Sequence, residues 1–105
     1  MKKPDRTAID AWLGDLRSSV ESTNVPGNHP DTLRAIEQLT SLISEQNIAD
    51  DKCAALRALA RKFYGCRSNR RWTASEADVV HWGMIGCIVS IETRLRMLKP
   101  APPVL

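Results

Sequence analysis

Aromatic side chains are scarce in this sequence: one Phe, one Tyr and three Trp among 105 residues. A core built from it must be mostly Leu, Ile, Val and Ala, which suits packed helices. Cysteine is scarce too. Cys53, Cys66 and Cys87 are an odd number without disulfide-framework spacing, and no apolar signal segment follows the basic Met1–Lys3. The expected setting is therefore the reducing cytoplasm, with free thiols. The longest apolar stretch, residues 79–91, contains His81 and Ser90 and is too short to span a bilayer, so no membrane association is expected. There is no Gly-rich phosphate loop, no paired catalytic carboxylates, no Ser/His/Asp order and no C-x-x-C or H-x-x-x-H pair. A non-enzymatic chain with no metal and no cofactor is expected. His29 belongs to an exposed turn, and His81 reads as a packed histidine.

What is present fits one globular domain. The chain is 43% apolar and 26% charged, enough for one modest core. Its net charge of +3 hides an asymmetry. Residues 1–51 carry five basic and nine acidic side chains; residues 52–105 carry ten basic and three acidic. The basic half can face a polyanion, an acidic protein, or the acidic half of its own fold or of a second copy.

Helical periodicity predicts an all-α, compact four-helix single domain spanning 1–105, with helices over residues 5–22, 30–46, 50–64 and 74–98 and an extended proline-rich tail over 99–105. No strand pattern, internal repeat or interdomain linker is visible. Ile9, Trp12, Leu13, Leu16 and Val20 share one face of the first helix, and Thr7 with Asp10 resembles a capping box. Leu33, Ile36, Leu39 or Thr40, and Ile43 form the stripe of the second, which opens on Pro30. The third begins at Asp50 and Asp51, read as N-cap and favourable charge, and carries Leu56, Leu59, Ala60 and Phe63. Gly65 is expected to stop it as a left-handed residue. Thr73-Ala74-Ser75-Glu76 reads as a second capping box.

The last helix carries two apolar faces. Ala77, Val80, Met84, Cys87, Ile88, Ile91, Leu95 and Leu98 form the expected core stripe. On roughly the opposite side lie Val79, Trp82, Gly86 and Val89, with Ile85 at the edge. A helix in a domain of this size needs one buried face, so the second is covered by the other helices or left for a partner. Gly83 and Gly86 weaken a helix interior by up to about 1 kcal/mol each relative to alanine, which suggests the close approach of another backbone. That backbone belongs either to the first or second helix of the same chain or to another molecule, and the Trp82 ring beside the Gly86 gap favours an interface.

Between Lys52 and Trp72 lie seven basic residues and no acidic one. Arg57, Arg61, Lys62, Arg67, Arg70 and Arg71, with Trp72, form a candidate anion or nucleic-acid contact: arginine forks pair with phosphates, and a Trp stacks on a base. The alternative is a solvated face paired with the acidic first half. The linker before the last helix is too long for a helix-turn-helix.

The amphipathic run Pro30-Asp31-Thr32-Leu33-Arg34-Ala35-Ile36 and the final helix, with Ser75-Glu76-Ala77-Asp78 leading to Met84 and Ile88-Val89-Ser90-Ile91, resemble the bacterial quorum-sensing antiactivators of the TraM and QslA type. The resemblance covers the second and fourth helices and brings no individual functional residues with it. It implies a helical, dimeric protein that binds a LuxR-type transcription activator and blocks its dimerisation or DNA binding. The alternatives are a small nucleic-acid-binding regulator using Arg61 to Trp72, or a phage- or plasmid-encoded inhibitor of another host complex.

Overall fold

A computed structural model describes residues 6–65 and 72–97. Among these residues the chain forms four α-helices and no strand: α1 (Arg6–Ser22), α2 (Pro30–Glu45), α3 (Asp50–Tyr64) and α4 (Ala74–Met97). This is the all-α, four-helix architecture that the periodicity predicts. Leu98, the tail over 99–105, and Arg67, Arg70 and Arg71 lie outside the described residues.

The helices form a ring. α1 packs on α2, α2 on α3, α3 on α4, and α4 returns to α1. Each contributes a stripe at three- and four-residue spacing, the period that keeps side chains on one helical face. Ile9, Leu13, Leu16 and Val20 come from α1, and Ile36, Leu39 and Ile43 from α2. Cys53, Leu56, Ala60 and Phe63 come from α3, and Val80, Met84, Ile88, Ile91 and Leu95 from α4. Thr40, buried among them, donates its hydroxyl to the Ile36 carbonyl at 2.7 Å, so its polar group is satisfied within the helix.

The helix ends depart from the sequence reading in three places. α1 is already helical at Arg6, so Thr7 stands in its first turn and does not cap it. The residue that enters α3 is Ala49, in the left-handed region at φ 50° and ψ 43°, with no side-chain cap. Asp50 and Asp51 sit inside the first turn, where their charge still opposes the helix dipole. Gly65 is not left-handed, with φ at −103°. It is needed for space instead: a Cβ there would lie 2.6 Å from the Arg61 carbonyl oxygen. The final carbonyls of α3 are used by the α1–α2 loop, where Gly27 N–H donates to Phe63 O at 2.9 Å and His29 N–H to Tyr64 O at 2.8 Å. At α4 the predicted cap does form, with Glu76 N–H donating to Thr73 Oγ1 at 3.0 Å.

The C-terminal end of α1 is tied down by two side chains from other helices. His81 Nε2 lies 2.8 Å from Val20 O, and the Tyr64 hydroxyl donates to Thr23 O at 2.8 Å. These bonds serve the Val20 carbonyl in the last turn of α1 and the Thr23 carbonyl just beyond it. They also explain why His81 is buried in α4, as a packed histidine should be.

Candidate protein-binding face

α4 buries one side and exposes the other. Val80, Met84, Ile88, Ile91 and Leu95 point into the bundle. Val79 is 72% exposed, Trp82 65% and Val89 43%, and Gly86 lies open between them. The other three helices therefore leave this second apolar face uncovered. Ile85 is the correction. It is 8% exposed and belongs to the core, because the edge of the face on which it stands is the side where α1 packs.

The two glycines have separate roles. A Cβ on Gly83 would meet Leu59 Cδ1 at 3.3 Å, so Gly83 admits α3 and neither of the first two helices. A Cβ on Gly86 would meet nothing within 4 Å. Among the described residues nothing fills that gap, which lies one turn after Trp82.

Three features of this face do not stand out in the sequence. Met97 is 78% exposed and continues the spacing from Val89 through Thr93. Arg96 is exposed at the same end. Glu21 and Asn24 of α1 and the loop after it come beside α4 and, with Asp78, His81, Trp82 and Ile85, line an open cleft of about 460 Å³. The three-four spacing points to Met97. Nothing local points to Glu21 or Asn24, because only the packing of α1 on α4 brings them there.

Glu92 is equally inconspicuous in the sequence. It is 5% exposed and meets Arg17 of α1 at 3.1 Å. Its position four residues after Ile88 is the clue, since that places a carboxylate in the buried stripe. Trp12, expected in the core, is instead 43% exposed and borders a shallow apolar groove of about 360 Å³ between α1 and α2, with Leu16, Leu39 and Leu42. At the edge of its stripe, the ring covers the seam between two helices without entering it.

The basic segment is partly used within the fold. Arg61 donates to Glu37 of α2 at 2.8 Å. Trp72 is half-buried and stands edge-on to Phe63, with ring centroids 5.7 Å apart, so its ring serves the core more than a stacked base. Arg57 is half-buried and Lys62 exposed. His29, expected in an exposed turn, is half-buried edge-on to Tyr64 at 5.6 Å, with Nε2 3.0 Å from Val25 O.

Charged and reactive groups elsewhere are quiet. Arg94 clamps Asp51 with both terminal nitrogens, at 2.5 and 3.2 Å, and this contact holds the Asp51 carboxyl below its ordinary range. Burial pushes the thiols of Cys53 and Cys87 up, away from the reactive thiolate. Among the described residues, no three His, Cys, Asp or Glu side chains are grouped to hold a metal ion. No helix among them is long and apolar enough to cross a membrane. What the α4 face offers is non-covalent burial: two valines, a tryptophan and a methionine around a gap, with charges at both ends. Comparison with protein-family models, with curated proteins and with solved structures finds no match to this chain.

Proposed function

We propose that this chain is a regulatory protein that works by binding another protein through the outward face of α4, and not by catalysis. The observation that carries this is the uncovered Val79–Trp82–Val89 surface around the open Gly86. An exposed aromatic ring beside a backbone gap suits a helix docked lengthwise, with Trp82 as the anchor. Asp78 at one end and Arg96 at the other form a charged rim that fixes orientation. By its resemblance to the quorum-sensing antiactivators, the partner is a LuxR-type transcription activator, bound on the surface it uses for dimerisation or DNA binding. A second copy of the chain would use the same face.

The direct nucleic-acid reading has less support. Arg61 is engaged by Glu37, and Trp72 packs on Phe63.

The test uses the purified chain and the LuxR-type activators of the same cell. Adding the chain should abolish the activator–promoter complex in a mobility-shift assay. Trp82→Ala should weaken the inhibition by about tenfold or more while leaving the helical circular dichroism unchanged. Inhibition that survives this substitution would rule out the α4 face. A shift of nucleic acid by the chain alone, weakening steeply with salt, would support the nucleic-acid reading instead.

A further inference from the structure

The uncovered face of α4 has a polarity that selects an occupant. Acidic residues stand near its start, with Glu76 and Asp78 in the first turns; basic residues stand near its end, with Arg94 and Arg96 in the last. Gly86 is midway between them. Asp78 and Arg96 are separated by five full turns at about 3.6 residues per turn, so they lie on one line along the helix. Glu76 and Arg94 are related in the same way on the opposite flank.

We propose that a second copy of this chain docks on α4 antiparallel, with Gly86 crossing Gly86 and Arg96 of each copy entering the Glu21–Asp78–Trp82 cleft of the other. This rests on the reading of the α4 face as a protein-binding surface, and it names one occupant of that surface.

A two-fold axis at Gly86 sets the levels. With a rise of about 1.5 Å per residue, Asp78 lies about 12 Å from the crossing, and Arg96 of the second copy lies about 15 Å along the same direction. Side chains on a helix lean towards its N-terminus. Arg96 therefore leans back towards the crossing, into the cleft where Asp78 and Glu21 supply carboxylates and Trp82 a ring face. Among the described residues, Glu21 has a loose contact to Arg17 at 3.8 Å. Trp82 comes level with Val89 and Ser90 of the second copy, beside the gap that its Gly86 leaves. On the other flank, Glu76 and Arg94 reinforce the same orientation, although Thr73 and Asp51 already engage them within the chain. A parallel pairing would instead bring Asp78 level with Asp78 and Arg96 level with Arg96, which like-charge repulsion opposes.

Sedimentation equilibrium of the full chain over a range of concentrations tests this. Wild type should dimerise. Asp78→Arg and Arg96→Glu, both at exposed positions, should each raise the dimer dissociation constant by about tenfold or more. The doubly reversed chain should recover most of that loss, because the two charges still meet across the axis. A wild type that stays monomeric, or a dimer indifferent to either reversal, overturns the proposal. A monomeric wild type that blocks the activator, and loses this on Trp82→Ala, removes the self-pairing alone. A chain for which Trp82→Ala changes neither dimer nor inhibition removes the binding face as well.

Discussion

Burial pushes the Tyr64 phenol up to about 12 from an ordinary value of 10.0, because the phenolate would lose water inside the bundle. The neutral phenol is thus favoured in the folded chain. Its contribution to stability is whole below pH 10, where folded and unfolded phenols are both protonated. Above that, the unfolded phenol ionises first, and stability should fall by about 1.4 kcal/mol per pH unit until the pH passes about 12. Tyr64→Phe should flatten that alkaline slope. It should also cost about 1 kcal/mol at neutral pH, since the Thr23 carbonyl loses its donor. Urea titrations at pH 7 to 11.5 would measure both. Glu92 invites a second substitution. Arg17 is 41% exposed and keeps its water when its partner is removed, so Glu92→Leu, which puts an apolar side chain of similar volume into the buried position, should change stability by less than about 1 kcal/mol. A large loss in the urea midpoint would mean that the pair contributes more than its desolvation removes.

At the level of the helices, the clearest contrast is between the two glycines of α4. Gly86→Ala adds a methyl group into open space and removes the conformational freedom of glycine, so the folded monomer should gain up to about 1 kcal/mol. Gly83→Ala meets Leu59 at 3.3 Å and should gain less, because that side chain must move. Thermal melts in dilute solution would rank them, and equal gains would contradict the packing of α3 on Gly83. The periodicity of α4 makes two separate apolar stripes legible in the sequence, Val80 to Leu95 as the expected core and Val79, Trp82 and Val89 as a second face, but it leaves open whether the other helices cover that second face; the exposure of Val79, Trp82 and Val89 answers this. Periodicity does not place Ile85, which stands on the boundary, because the sequence of one helix does not say on which side its neighbour packs. The same limit hides which helix Gly83 receives. Helix ends are less legible still. At Ala49 and Gly65 the entry and exit are set by backbone geometry and by a loop distant in sequence, not by the local residue types that usually signal a cap.

Across the whole molecule, the division into an acidic and a basic half is partly resolved inside the fold. Arg61 of α3 meets Glu37 of α2, and Arg94 of α4 meets Asp51 of α3. Exposed pairs of this kind add little to stability, because solvent screens them. They orient the helices more than they hold them, and they leave Asp78 and Arg96 for an outside contact. The charge split is plain in the sequence; which charges are consumed internally depends on contacts between separate helices.

The ring of helices has a kinetic consequence. Three of its four seams join helices consecutive along the chain, and such contacts form early because the loops to be closed are short. The seam between α1 and α4 joins the two ends of the sequence. Arg17 and Glu92 span it, as does the bond from His81 to Val20. It is the contact expected to be least developed in the folding transition state. Arg17→Ala should therefore leave the refolding rate nearly unchanged and speed unfolding by about fivefold to thirtyfold, the equivalent of about 1–2 kcal/mol. Stopped-flow chevrons would show the change on the unfolding limb alone, so the lifetime of the folded chain is set at the seam where its first helix meets its last.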